Sequence, residues 1–219
     1  MVPSLPTTSM CEFSIASVNM RRRNEAMHAL LNTNNEDDIL CVQEPWFNRI
    51  GVARCDDKIN GKDVLGGAAN PQWELLYPYF SSSQRAKVMV YHRIHNRQNP
   101  FRKNHLRVTV RNDLVAHPSI MMVEVRAGSE LWRVINFYND VDDPSTIRTL
   151  LRLDLPSTIP TLLVGDFNIH SHSWSPLGWT PSPHAIPLEE WCATQTLSLL
   201  SVPRSLDSSR RERRARQHH

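Results

Sequence analysis

The sequence predicts an α/β protein in which two mixed β-sheets pack as a sandwich with flanking helices. Three observations predict it. The chain opens in the order strand, helix, strand; five closely spaced strand-like segments follow; and several strands end on polar residues of one chemical kind.

The elements follow in order. Residues 13–19 alternate apolar and polar side chains from Phe13 to Asn19 and read as a first strand. Ala26, Met27, Leu30 and Leu31 share one helical face, which predicts a helix over residues 22–32. Asp38-Ile-Leu-Cys-Val-Gln-Glu44 reads as a second strand, stopped by Pro45. A β-α-β order makes these strands parallel neighbours with a right-handed crossover, so Asn19 and Glu44 lie side by side at one sheet edge. Residues 46–70, with Gly66-Gly67, read as a long loop. Residues 73–79, 86–93, 106–112, 119–126 and 132–138 read as strands joined by short connections, the signature of antiparallel hairpins. A helix over 146–153, a strand over 161–166 and a helix over 188–200 complete the pattern. The domain is expected over 13–200, after a disordered segment at 1–12 and before a disordered Arg-rich tail at 201–219.

With 219 residues, 40% hydrophobic and 21% charged, the chain can bury one sizeable core. No apolar run approaches the roughly 20 residues of a membrane span, and residues 1–10 lack the layout of a signal peptide. Cys11, Cys41, Cys55 and Cys192 form no CxxC pair, so no zinc site or disulfide framework is expected and the default location is intracellular. The net charge of +3 is uneven: six arginines against Asp207 and Glu212 concentrate +4 in residues 203–219 and leave the body at −1. Within the body, residues 85–112 hold Arg85, Lys87, Arg93, Arg97, Arg102, Lys103, Arg107 and Arg111 with no acid. Such a run suits a nucleic-acid backbone, or is simply a solvated strand face. Arg21, Arg22 and Arg23, in a predicted first helical turn, oppose the helix dipole, which an anion nearby would relieve.

Gly165-Asp166-Phe167-Asn168-Ile169-His170 follows the apolar run Thr161-Leu-Leu-Val164. Side chains alternate along a strand, so Asp166 and Asn168 point the same way at its end, where α/β proteins place their chemistry. An acid there can take a proton or hold a metal, and an amide can bind an anion; the same pattern also serves as a turn. Asn19, Glu44, Tyr138 with Asn139, and Asp166 with Asn168 repeat the design at four strand ends. Glu44 suits a hard cation such as Mg²⁺, though alone it is equally a capping acid.

Gln43-Glu44-Pro45, Asn136-Phe-Tyr-Asn139 and Gly165-Asp-Phe-Asn168 with Trp174 resemble the endonuclease/exonuclease/phosphatase superfamily. The likeness is to the apurinic-endonuclease-like nicking domain of non-LTR (LINE-type) retrotransposons, with which Val18-Asn19, residues 26–31, His170 and Trp174 agree. It covers roughly residues 13–200. The resemblance implies hydrolysis of DNA phosphodiesters with Mg²⁺ (or Mn²⁺). It implies that Glu44 binds the metal with Asn19 beside it, that Asp166 activates water, and that Asn168 and Tyr138 bind the scissile phosphate. Arg21, Arg22, Arg85, Lys87 and His170 are the candidate nucleic-acid contacts. No protein partner is called for.

The family also ends on a Ser-Asp-His motif, and nothing after Asn168 reads so. The expectation is a C-terminally truncated or frame-shifted chain whose second sheet lacks its last strands and whose activity is weakened or lost. Two alternatives remain open at this point: a non-catalytic nucleic-acid-binding remnant, and a phosphatase of the same superfamily. The basic tail reads either as a nuclear localisation signal or as a frame-shifted remnant.

Overall fold

β1 (Ile15–Asn19) and β2 (Ile39–Gln43) pair in parallel with Asn19 level with Gln43, and α1 (Asn24–Thr33) makes the crossover between them. These assignments come from a computed structural model, which describes residues 12–34, 36–52, 63–78, 85–94, 106–176 and 178–200. A hairpin, β3 (Phe47–Val52) and β4 (Asp63–Gly67), stands by itself as a two-stranded sheet. β5 (Trp73–Leu76) and β6 (Val88–Arg93) complete the first large sheet in the order β1-β2-β6-β5. β7 (Leu106–Val110), β8 (Ile120–Ala127), β9 (Glu130–Tyr138) and β10 (Thr161–Asp166) build the second, in the order β10-β9-β8-β7. α2 (Ser145–Leu150) connects β9 to β10, and α3 (Ala185–Thr194) follows. Both sheets are mixed, as expected: β1–β2 and β10–β9 are parallel and the other pairs antiparallel.

The two sheets pack face to face. Ile39, Cys41, Val88 and Val90 meet Met121, Val123, Val125 and Val134 between them. On its other face β2 turns Leu40 and Val42 to α1, where Met27 and Leu31 are fully buried. Burial of side chains this size stabilises by about 1.5–3 kcal/mol each. The second sheet is covered in the same way: Ile120, Met122, Ile135 and Phe137 lie under Ile147, Leu150, Leu188 and Trp191. Helices thus cover both outer faces, which is why β2 reads as a continuous apolar run rather than an alternation.

Three expectations need correction. The loop expected over 46–70 contains β3 and β4. Gly67, expected in that loop, is a strand residue in close approach: a Cβ there would lie 3.0 Å from both Met89 Sδ and Tyr91 Oη. α1 begins at Asn24, not residue 22, because Arg21 and Arg22 adopt φ of +48° and +59°; these arginines precede the helix and do not oppose its dipole from a first turn. α3 starts at Ala185, with Pro187 tolerated in its first turn, and ends at Thr194. Its C-terminus is closed by the Leu197 N–H donating to the Cys192 carbonyl beside Thr196 at φ +57°. Leu199 and Leu200 are exposed.

Candidate active site

β1, β9 and β10 end at Asn19, Tyr138 and Asp166, and Glu44 directly follows β2. In the second sheet Asp166 is level with Tyr138. The polar ends of both sheets meet through one amide. Asn19 Nδ2 donates to Glu44 Oε1 at 3.0 Å and to Asp166 Oδ2 at 2.8 Å. Burial, and then the nearby Glu44 carboxylate, push the Tyr138 phenol up to about 12, so it keeps its proton at neutral pH. Asn168, exposed two residues past β10, donates from Nδ2 to the Asn139 carbonyl at 2.8 Å. Its backbone N–H donates to Asp166 Oδ1 at 3.3 Å.

The backbone here is held in uncommon conformations. Of the five non-glycine residues with positive φ among the described residues, four surround this site: Arg21, Arg22, Glu44 (+43°) and Asn168 (+48°). Each such conformation costs on the order of 1 kcal/mol, and such strain gathers where a site needs it. Hydrogen bonds sustain it: Arg21 N–H donates to Asn19 Oδ1 at 2.9 Å, and Arg22 N–H to the Glu44 carbonyl at 2.8 Å. Gly165, at φ +142°, carries β10 into the site. A Cβ there would sit 1.8 Å from the Phe137 carbonyl oxygen, so no other residue lets β10 approach β9 this closely before Asp166.

Glu44 Oε1 and Asp166 Oδ2 share one nitrogen, and therefore lie within about 6 Å of each other. That spacing and an all-oxygen donor set suit a hard, partly hydrated cation held by one or two carboxylates. Among the described residues no group of three or more His, Cys, Asp or Glu side chains gathers, so no all-protein cage for a softer metal is formed. Asn19 turns its Oδ1, the atom a cation would take, toward the Arg21 N–H. Its Nδ2 is shared between the two carboxylates.

The predicted nucleic-acid contacts divide. Arg22 Nε lies 3.9 Å from Glu44 Oε2 while staying largely in solvent, and Arg21 and Arg85 are exposed. Lys87 is paired with Asp140 at 2.9 Å, and its ammonium holds the Asp140 carboxyl below the usual carboxylate range. His170 is half-buried: its Nδ1 is 3.4 Å from Ser175 Oγ and its ring packs against that of Trp179. The acid-free run 85–112 does not form one cationic surface among its described residues. Arg93 lies over the Trp73 ring at 4.1 Å and donates to the Asp37 and Asn34 carbonyls. Arg111 pairs with Asp113 and Glu124. The acids absent from the run arrive from neighbouring loops and strands. Arg97, Arg102 and Lys103 lie outside the described residues.

Two residues that were read only as motif letters support the site from behind. Gln43 Nε2 donates to Asn136 Oδ1 at 2.6 Å, and Asn136 Nδ2 to the carbonyls of Val42 (3.1 Å) and Met89 (2.8 Å). Both side chains are buried, and they bridge the sheets one residue before Glu44 and two before Tyr138. An amide in the middle of an apolar strand was the available signal.

Fold and site together define an α/β sandwich with a carboxylate-and-amide cluster at aligned strand ends. The chain belongs to the endonuclease/exonuclease/phosphatase family, whose profile matches residues 16–213. Its fold is similar to that of the endonuclease domain of TRAS1, a telomere-specific non-LTR retrotransposon. The match has a TM-score of 0.60 at 15% identity and covers 86% of this chain and 75% of that one. No curated protein matches the sequence. Among the described residues, no helix is long and apolar enough to cross a membrane.

Proposed function

We propose that this chain is a phosphodiesterase that nicks DNA with Mg²⁺ or Mn²⁺, an endonuclease of retroelement type. The observation that carries the reading is the meeting of Glu44 and Asp166, from both sheets, on the Asn19 amide, with Tyr138 level with Asp166 at the end of β9. Glu44 is the residue that would hold the ion, with Asn19 setting its carboxylate, and Tyr138 is a candidate donor for the scissile phosphate. When bound, the cation supplies charge neutralisation at the scissile phosphate and acidifies a water. Asp166, oriented by Asn19 and by the Asn168 N–H, places the attacking water and accepts its proton. Asn168 has a second amide hydrogen beyond the one given to Asn139, and it donates to the phosphate as charge develops. Arg21, Arg22 and Arg85 neutralise flanking phosphates. A DNA substrate makes an intracellular, nuclear setting the natural one.

The test is nicking of supercoiled plasmid with Mg²⁺ and with EDTA. Wild-type chain nicks only with metal, and Asp166→Ala and Glu44→Ala each lower the rate by about 10²–10⁴-fold, the usual weight of a positioned acid or base. Salt-sensitive DNA binding without metal-dependent nicking would overturn the enzyme reading in favour of a non-catalytic nucleic-acid-binding domain.

A further inference from the structure

The loop that follows Asn168 presents an aromatic pair beside the site. The ring of Trp179 packs against that of His170 in a tilted pair, with centroids 4.2 Å apart and planes inclined by 38°. The indole nevertheless remains 54% exposed. A partly buried tryptophan usually hides its ring in the core, as Trp174 does by packing on the second-sheet core and donating to the Ile169 carbonyl. Trp179 does neither.

The loop is well anchored. His170 and Ser182 exchange two hydrogen bonds, His170 N–H to Ser182 Oγ at 2.9 Å and Ser182 N–H to the His170 carbonyl at 2.8 Å, which pin its base. The Ser171 and Ser173 hydroxyls both donate to Glu189 on α3. Within the loop, Trp179 N–H turns back to the Pro176 carbonyl next to Gly178 at φ +93°. The aromatic pair is therefore preorganised, and using it requires little further ordering.

Its position gives it a ligand. His170 is two residues from Asn168, so their Cα atoms lie within about 7 Å. In the reading above, Asn168 holds a phosphate, and a nucleotide carries its base one sugar away from its phosphate. An exposed aromatic face one ring beyond His170 suits a nucleobase, whichever base it is, because each has a π-face.

We infer that Trp179, backed by His170, is a stacking platform for a base next to the scissile phosphate. It helps decide which nucleotides the site accepts. This inference rests on the DNA-nicking reading and adds to it a residue that no motif marks.

The experiment measures the affinity, in EDTA, of a fluorescein-labelled single-stranded oligonucleotide and of a set in which each nucleotide in turn is made abasic. Plasmid nicking by the same wild-type preparation runs in parallel. Trp179→Ala weakens binding of the intact oligonucleotide about tenfold, as expected for the loss of one stacked base, and Trp179→Phe restores most of it. In the wild type, one abasic position costs a similar factor, and in Trp179→Ala that position costs nothing, the coupling expected of two groups in contact. If the wild type nicks while every abasic position weakens both proteins alike, the platform is refuted and the nuclease reading stands. If the wild type neither binds nor nicks, both fall.

Discussion

Asn19 Nδ2 lies 2.8 Å from Asp166 Oδ2, a hydrogen bond across 147 residues that joins the last residue of β1 to the last residue of β10. The same nitrogen serves Glu44 Oε1. One neutral amide therefore lies between two carboxylates that would otherwise face each other. At about 6 Å and an effective dielectric near 20, their repulsion is about 3 kcal/mol. A cation between them reverses its sign.

Asn19→Ala removes that amide and leaves the carboxylates to swing apart. Nicking is expected to fall by about 10–100-fold, in line with the loss of positioning around a reacting centre, and the Mg²⁺ concentration for half-maximal rate rises. Asn19→Asp keeps the shape but adds a third negative charge. It is expected to bind metal more readily and still nick slowly, because Asp166 and Glu44 lose their shared donor. Initial nicking rates across a Mg²⁺ titration distinguish the two, and equal curves for both variants and the wild type would contradict the role given to Asn19.

Asn136→Ala tests the bridge behind the site. It takes this donor from the Val42 and Met89 carbonyls, at about 1–3 kcal/mol for each unsatisfied group before relaxation, while the Gln43 amide keeps the Cys41 carbonyl and the Ser17 hydroxyl. The expected total is about 2–4 kcal/mol, read as a lower urea midpoint. Gln43→Ala costs less, since Asn136 keeps both carbonyls, and the double variant costs less than the sum because the two share one network. Strict additivity would show that the bridge is not a unit.

The bridge also marks where the sequence was legible. The apolar runs of β2 and β10, and the polar residues that end them, are local signals, so their strand type and the place of Asn19, Glu44, Tyr138 and Asp166 at strand ends are legible in the sequence. The rest depends on partners distant in sequence. Phe47-Asn-Arg-Ile-Gly-Val52 is strand because Gly66 and Gly67 pair with it, and no local periodicity announces that. Lys87 and Arg111 read as free cations because the carboxylates that engage them, Asp140 and Glu124, lie outside the basic run. The reversal of φ at Arg21 and Arg22 depends on acceptors offered by Asn19 and Glu44. Trp179 carries no sequence signal, because a lone tryptophan in a Pro- and Ser-rich loop has no pattern.

Acid sensitivity should centre on Glu124. Burial raises its pKa, but hydrogen bonds from Arg111 and from the buried Arg133 (3.1 Å) outweigh that and hold it below the usual carboxylate range. A depressed carboxylate contributes its stability above the unfolded value of about 4.3 and loses it as the pH falls through the folded one. Glu124→Gln is expected to cost about 3 kcal/mol at pH 7, where it leaves Arg133 buried without its counter-charge. The difference should shrink steadily below pH 4. Urea midpoints for both proteins from pH 7 to pH 3 measure this, and a gap that stays constant with pH would exclude the ion pair as its source.

Tyr138→Phe separates two roles for the phenol. The family resemblance has Tyr138 donating to the scissile phosphate, whereas here the Glu44 carboxylate lies near enough to help raise the phenol's pKa. If holding Glu44 is its task, the variant needs more Mg²⁺ for half-maximal nicking and approaches the wild-type rate at saturation. If it donates to the phosphate in the transition state, the saturating rate falls by about 10–100-fold while the Mg²⁺ requirement stays put, since only interactions stronger in the transition state change that rate. The pull of Glu44 on the phenol makes the first outcome the expected one. Burial and Glu44 raise the phenol to about 12, so it stays a donor across any ordinary assay range and sets no limb of the wild-type pH profile. A limb near pH 10 that disappears in Tyr138→Phe would mean the phenol titrates as though exposed, and the contact with Glu44 would then be wrong.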